Sequence, residues 1–96
     1  MSEGNDISYG SGFLKDVRAL PSEAQEKLVK LLDMLRRDAF DAQLHTKALS
    51  APLVGRFSFR ITRDWRVGFR FIAPRSIQLL VADRRDRIYK RLARIS

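Results

Sequence analysis

Residues 56–89 read RFSFRITRDWRVGFRFIAPRSIQLLVADRRDRIY, and this stretch decides the fold. It contains three runs in which apolar and polar residues alternate, the pattern of β-strands with one buried face. The apolar positions of the three runs are Phe57, Phe59 and Ile61, then Val67, Phe69 and Phe71, then Ile77, Leu79 and Val81. These runs predict three strands of one antiparallel sheet with an apolar face.

The loops between the predicted strands must keep apolar residues opposite apolar ones, because directly paired residues share a face of a sheet. A two-residue turn after the first strand would place Ile61 opposite Arg66 and mix charge with the aromatic side chains. A three-residue loop, at either 62–64 or 63–65, avoids that conflict. Residues 73–75 form the matching loop of the second connection.

The second face of the predicted sheet is polar and mostly cationic. By parity it carries Ser58, Arg60, Thr62, Arg66 and Arg70, with Leu80 as its one large apolar residue and Arg84 added if the third strand continues that far. The acids near this cluster in the sequence are Asp64, Asp83 and Asp86, which are too few to neutralise it. Arginine can bind a phosphate group through two parallel N–H donors. The face therefore predicts an anionic ligand.

The residues before the sheet predict two helices that cover its apolar face. Pro21 ends the first helix and can open the second, and Ser22 with Gln25 fits a capping box. The apolar positions at helical spacing are Phe13, Val17 and Leu20 in the first helix and Ala24, Leu28, Leu31, Leu32 and Leu35 in the second.

Three further segments complete the predicted architecture. Residues 6–9 could form an edge strand, residues 38–55 form an aperiodic connection, and residues 86–95 predict a short amphipathic helix. A chain of 96 residues suffices for one domain with a modest core. We therefore predict a single α+β domain over residues 1–96: a small twisted antiparallel sheet with two N-terminal helices packed on one face and a short C-terminal helix.

Positive charge is concentrated in the second part of the chain. Residues 1–55 contain seven basic and eight acidic side chains, whereas residues 56–96 contain twelve basic ones, eleven of them arginine, and three acidic ones. This asymmetry indicates a polyanionic partner, and a basic surface that serves solubility is the alternative. The chain has no cysteine, no apolar run long enough for a membrane span and no signal-peptide pattern, so a soluble cytoplasmic protein is expected.

The sequence contains no P-loop, no glycine-rich dinucleotide motif and no HExxH motif. We interpret His45, which has no neighbouring ligand set, as a surface residue. Arginine with tyrosine suits a phosphodiester, because guanidinium groups can stabilise the extra charge of a pentacovalent transition state. Tyr89 could take the proton of a ribose 2′-OH that attacks the adjacent phosphorus, although it could also be an ordinary core tyrosine. This chemistry requires RNA, and neither a metal nor a cofactor is expected.

The runs FSFRITRDWRVGFRFI at 57–72 and IQLLVADRRDRIYKRL at 77–92 resemble the RelE/ParE superfamily of type II toxin–antitoxin toxins. They are closer to the RelE-type mRNA interferases than to the ParE type. Residues 13–40 look like the paired N-terminal helices of that family. The resemblance implies a small α+β domain that cleaves mRNA by 2′-OH attack, commonly on the ribosome. It also implies a hetero-oligomer with an acidic antitoxin protein that wraps the toxin.

The resemblance assigns site residues one by one. Arg66 stands where the family keeps the arginine that stabilises the scissile phosphate, and Arg60 falls near a basic residue of the preceding strand. Tyr89 matches the C-terminal tyrosine that acts as a base or orients the substrate. Arg84 or Arg85 matches the basic position before it, and the sequence does not settle which of the two acts in catalysis. The further residues expected to contact RNA are Arg56, Arg63, Arg70, Arg85 and Lys90.

The sequence departs from the family in the segment Ala82-Asp83-Arg84, where many relatives carry a histidine. The group that protonates the leaving oxygen is therefore not identified, because arginine is a poor proton donor. Two alternatives to the RNA-cleaving toxin remain open. One is a ParE-like inhibitor of DNA gyrase, and the other is a non-catalytic RNA-binding or ribosome-binding module.

Overall fold

The computed structural model describes residues 4–95, which form three helices and a five-stranded sheet. The elements in chain order are β1 (Asp6–Tyr9), α1 (Phe13–Arg18), α2 (Ser22–Arg37), a 3-10 turn (Ala42–Leu44), β2 (Lys47–Ala48), β3 (Arg56–Arg60), β4 (Trp65–Ala73), β5 (Ser76–Arg84) and α3 (Arg85–Ala93). The strand order is β1-β5-β4-β3-β2, with β1 parallel to β5 and the other neighbours antiparallel. The predicted α+β fold is confirmed, and the sheet is mixed because the edge strand at residues 6–9 joins in parallel. No helix within the described residues is long and apolar enough to cross a membrane.

The main core lies between the sheet and the helices α1 and α2. The buried side chains of α2 are Ala24, Leu28, Leu31 and Leu35, which recur every three or four residues and so line one side of the helix. Their partners from the sheet include Phe59, Val67, Phe69, Ile77 and Leu79. Full burial of one large apolar side chain contributes about 1.5–3 kcal/mol, so this core is the scaffold that holds the sheet.

The helical hairpin turns at Pro21, as predicted, but the predicted capping box is wrong. Pro21 itself occupies the N-cap position of α2, and it has no side-chain oxygen to accept a hydrogen bond. Ser22 is already the first helical residue. Gln25 instead donates from Nε2 to the carbonyl oxygen of Leu20 at 2.9 Å, which closes the turn between the helices.

The hairpin registers follow the predicted pairing. Arg60 lies opposite Arg66, which corresponds to the three-residue loop at 62–64. Arg70 lies opposite Gln78 across the second connection, as predicted, but the predicted loop at 73–75 is wrong, because Ala73 pairs with Ser76 and a bulge at Ile72 restores the register. The apolar and cationic faces of β3 and β4 therefore separate as expected.

A β-bulge at Leu80 changes the face of the later residues of β5. Phe69 lies opposite Leu79 but Gly68 lies opposite Val81, so Leu80 has no partner in β4. Val81 therefore points away from α1 and α2. The prediction that it lines the main core is wrong.

The same bulge separates Arg84 from Arg66. Arg84 lies opposite Trp65, whose side chain packs against the main core, whereas Asp83 lies opposite Arg66. The prediction that Arg84 shares the cationic face with Arg66 is wrong, because parity counts residues and does not detect an extra one in one strand.

Helix α3 covers the face of the sheet opposite to α1 and α2. Its buried residues Ile88 and Leu92 pack with Leu80 and Val81 in a second, smaller core. Gly68 permits this approach, since a Cβ atom there would lie 2.8 Å from both Cδ atoms of Leu92. The predicted C-terminal helix is confirmed, and it lies on the face predicted to be open and cationic.

Candidate functional site

Arg60 and Arg66, here called the arginine pair, form the centre of the candidate site. They lie directly opposite each other where β3 and β4 approach their connecting loop. Opposite residues of a sheet project to one face, with Cβ atoms about 4.5–5.5 Å apart. That face is the one covered by α3, because the next pair along it, Ser58 and Gly68, includes the glycine that contacts Leu92.

The arginine pair is poorly satisfied by the protein itself. The Nε atoms of Arg60 and Arg66 are buried and have no hydrogen-bond partner among residues 4–95, and the same holds for Arg56 Nε and Ser58 Oγ on the same face. A buried polar atom without a partner costs about 1–3 kcal/mol. Like charges directly opposite in a sheet also destabilise it. The fold therefore retains an arrangement that its own stability disfavours, which points to an external anion.

The nearest acid in the strand register is bound elsewhere. Asp83 lies opposite Arg66, but its Oδ2 is 3.0 Å from Nη1 of Arg91. Arg91 also binds Asp16 through Nη2 at 3.0 Å, so its guanidinium joins α3 to both α1 and β5. Within the described part of the chain, no salt bridge reaches Arg60 or Arg66.

The pKa of Arg91 reflects this position between two carboxylates. Burial lowers the pKa of Arg91, but the hydrogen bonds and negative charges of Asp16 and Asp83 outweigh burial and leave the pKa above its usual value. We call these three residues the Arg91 tether. Both carboxylates are held by Arg91, and neither makes a salt bridge with the arginine pair.

Arg56 and Arg70 occupy the other end of the same face, opposite each other in β3 and β4. Arg56 donates from Nη2 to the carbonyl oxygen of Ile95 at 3.0 Å. Arg70 donates from Nε to Oε1 of Gln78 at 2.9 Å. Both residues, predicted to contact RNA, thus make hydrogen bonds within the protein.

Tyr89 lies on α3, with 37% of its surface exposed. It lines an open cavity of about 510 Å³ together with Leu49, Leu53 and Lys47. Lys47 lies opposite Ser58 in the ladder between β2 and β3, so its side chain starts from the same face as the arginine pair. Sequence reasoning missed Lys47 because a strand of two residues is too short to show alternation.

The remaining predicted site residues are spread around this centre. The Cζ atom of Arg84 is 5.9 Å from the centroid of the Trp65 ring, a cation–π distance, on the far side of the sheet from the arginine pair. Arg85 begins α3, and Arg63 lies in the loop after β3, both exposed. Lys90 lies in a cleft between α3 and α1. The structure therefore brings Arg60 and Arg66 together and leaves Arg84 apart.

A groove of about 630 Å³ along the outer side of α2 is lined mostly by polar and charged residues, among them Glu26, Lys30 and His45. His45 is exposed, which confirms its interpretation as a surface residue. The described residues contain no group of three or more His, Cys, Asp or Glu side chains placed to hold a metal ion. The arginine pair is on the opposite side of the main core from this groove.

Comparison with known proteins shows which solved structures share this fold. A scan against protein-family models found no match, and a search of curated proteins found no relative. Solved structures do match. YafQ from E. coli strain BL21(DE3) has a TM-score of 0.72 at 18% identity, over 88% of this chain and 98% of that one.

Two toxin–antitoxin complexes contain similar chains. The RelBE2 complex of Mycobacterium tuberculosis matches with a TM-score of 0.70 at 21% identity, over 85% of this chain and 99% of that one. The archaeal RelE-RelB complex of Pyrococcus horikoshii OT3 matches with a TM-score of 0.71 at 17% identity, over 91% and 99%. The chain therefore has the fold of the RelE/ParE superfamily toxins, as the sequence resemblance predicts.

Proposed function

We propose that this protein is the toxin of a type II toxin–antitoxin system and that it cleaves mRNA as a metal-independent endoribonuclease. The observation that carries the proposal is the arginine pair. Its two guanidinium groups share one face, their buried Nε atoms have no partner, and no acid of the described residues forms a salt bridge with them. The fold shared with YafQ and with chains of two toxin–antitoxin complexes supports the same class.

In the proposed reaction, Arg60 and Arg66 hold the non-bridging oxygens of the scissile phosphate. The ribose 2′-oxygen attacks the adjacent phosphorus, and the bond from phosphorus to the 5′-oxygen of the next nucleotide breaks. The products are a 2′,3′-cyclic phosphate and a 5′-hydroxyl. The guanidinium groups stabilise the additional negative charge of the transition state, and they do so best because they are already in position. DNA is not cleaved because it lacks the nucleophile.

We assign the two proton transfers to Tyr89 and Lys47. The phenolic oxygen of Tyr89 accepts the proton of the 2′-OH. The ammonium group of Lys47 donates a proton to the leaving 5′-oxygen. Both residues line one cavity, and Lys47 pairs with a residue that is two positions, or about 7 Å, from Arg60 along β3. An ammonium releases a proton far more readily than a guanidinium, so Lys47 takes the role for which the sequence offers no histidine.

Primer-extension mapping of mRNA after induction tests this function. We expect the wild type to cut mRNA, Arg66→Ala to cut it about 10²–10³-fold more slowly, and Tyr89→Phe also to cut it slowly. Arg36→Ala, which removes an exposed arginine of α2, is the matched control and should cut normally.

Intact mRNA in cells that express the wild type, or normal cutting by Arg66→Ala, would refute the proposal. DNA damage linked to gyrase with mRNA spared would instead identify a ParE-like toxin. RNA binding without growth arrest would identify the non-catalytic module.

The proposed partners are an acidic antitoxin protein and the translating ribosome, both in the cytoplasm. The net charge of +8 favours association with an acidic protein. The similar chains from M. tuberculosis and P. horikoshii were solved in toxin–antitoxin complexes. Co-expression of a small acidic protein encoded beside this one should restore growth and co-purify with it. Cleavage of translated mRNA, with naked mRNA left intact, would establish the ribosome requirement.

A further inference from the structure

A second cationic surface lies on the side of α3 that faces α1, away from Tyr89. It is an open cleft of about 500 Å³. Its positive side chains are Lys15 of α1 and Arg87, Lys90, Arg91 and Arg94 of α3 and its C-terminal end. Its negative side chains are Asp16 and Asp83 of the Arg91 tether. Five positive charges against two negative ones leave the cleft at +3.

The charges that remain are available to a ligand. Both carboxylates are bound by Arg91 at 3.0 Å, so the Arg91 tether has a net charge of −1 and the other four cations of the cleft outweigh it. Within residues 4–95, no salt bridge involves Lys15, Arg87, Lys90 or Arg94. A cleft of this charge concentrates anions by its field alone.

The walls of the cleft are held in place. The Arg91 tether joins α3 to α1 and β5, and Asp16 also accepts a hydrogen bond from the backbone N–H of Ala82 at 3.1 Å. The backbone positions that carry the cations of α3 are therefore fixed relative to that of Lys15. From Arg87 to Arg94 the helix rises about 10 Å, enough to meet more than one phosphate of a nucleic-acid strand.

We propose that this cleft binds the phosphodiester backbone of RNA at a second position, separate from the arginine pair. Apart from Gly12, every residue that lines it is charged. Protein–protein interfaces depend on buried aromatic or aliphatic anchors, which this lining lacks. Lysine and arginine contacts to phosphates need no such anchors. The RNA is either a distant part of the cleaved strand or a separate RNA molecule.

The inference rests on the proposed function for the choice of RNA, but it does not require cleavage. Binding in the cleft and cleavage at the arginine pair use different residues. If the wild type cleaves no RNA, the proposed function fails, and the contribution of the cleft to binding is still measurable.

The test compares two variants with the same loss of charge. The cleft variant carries Lys15→Gln, Arg87→Gln, Lys90→Gln and Arg94→Gln, and keeps Arg91. The control variant carries Lys27→Gln, Lys30→Gln, Arg36→Gln and Arg37→Gln in α2. Fluorescence anisotropy measures binding of a long 2′-O-methylated RNA, which is not cleaved, over a series of salt concentrations. Parallel sedimentation measures binding to ribosomes.

We expect the cleft variant to bind at least ten-fold more weakly than the control variant. The slope of log affinity against log salt concentration should be shallower by about 3, since four cations are removed and each phosphate contact to a single strand contributes about 0.7 to the slope. Weaker binding of the cleft variant to free RNA would identify a distant part of the substrate strand as the ligand. Weaker binding to ribosomes alone would identify a separate RNA.

Equal losses in the two variants would show an effect of net charge only and overturn the proposal. Unchanged binding to both RNA and ribosomes would also overturn it, as would loss of antitoxin binding with RNA binding intact. Thermal denaturation checks that both variants fold. If the cleft variant does not fold, the double variant Arg87→Gln with Lys90→Gln removes two exposed cations and is judged by the same comparison.

Discussion

Replacement of Arg66 by methionine should make the protein more stable and inactive at the same time. Methionine keeps an unbranched apolar stem but removes a guanidinium whose buried Nε has no partner and which lies opposite Arg60. The unpaired donor costs about 1–3 kcal/mol. The opposed like charges cost up to about 1 kcal/mol.

Part of this gain is lost because the methionine no longer makes the packing contacts of the guanidinium. We therefore expect a net gain of about 1–2 kcal/mol in the free energy of unfolding. For a domain of this size, each 1 kcal/mol raises Tm by about 4–8 °C. The gain should come with loss of mRNA cleavage, because the same guanidinium is assigned to the scissile phosphate.

Urea denaturation of Arg66→Met beside Arg70→Met measures the effect. The two arginines belong to the same strand and the same face, and both substitutions remove one positive charge. The Nε of Arg70, however, donates to Gln78 at 2.9 Å. Arg70→Met should therefore lose about 0.5–1.5 kcal/mol, whereas Arg66→Met gains.

A loss of stability in Arg66→Met as large as that in Arg70→Met would refute the reasoning. It would mean that the Arg66 guanidinium is as well satisfied in the free protein as that of Arg70. Inorganic phosphate provides an independent check. It should raise the Tm of the wild type more than that of Arg66→Met, because a ligand that binds only the folded state stabilises it.

Three further predictions concern α3 and the cavity beside it. Gly68→Ala should cost about 1–3 kcal/mol by displacing Leu92, and it should cost less in a Leu92→Ala background when both are measured by urea denaturation. Lys47→Ala should slow cleavage of RNA by about 10²–10⁴ with little change in affinity, and Lys47→Arg should not restore the rate. Arg91→Met should lower the free energy of unfolding in urea by about 1–3 kcal/mol. The loss should be smaller than for a fully buried pair because the Arg91 side chain is 40% exposed, and adding Asp16→Asn and Asp83→Asn should recover part of it.

The sequence predicted the elements whose pattern is local. Alternation identified β3 and β4, and the need to keep charge away from the aromatic side chains left two possible loops, of which the structure has the one that places Arg60 opposite Arg66. Apolar residues at helical spacing identified α2 and α3. Both kinds of pattern depend on neighbouring residues only, so no tertiary information was needed.

The bulge at Leu80 was not predictable from alternation. Leu80 and Val81 are both apolar, so the run fits either face equally well, and the extra residue leaves no mark in the pattern. The misplacement of Arg84 follows directly from that ambiguity. The position of α3 was also undetermined, because an amphipathic pattern shows which face of a helix is buried but not which surface of the protein covers it. Gly68 was the one available signal, since a glycine inside a strand often marks a close approach.

Helix α3 has only nine residues, fewer than the 12–15 or so that an isolated helix needs to persist in water. Its helical state thus depends on Leu92 against Gly68, on the Arg91 tether and on the bond from Arg56 to Ile95. If these attachments fail together, α3 should not swing out as a rigid rod but lose its order. A protein that displaced α3 from the sheet would then leave Tyr89 in a disordered tail. Inactivation would be an order-to-disorder transition, which faster hydrogen exchange across residues 85–93 would detect.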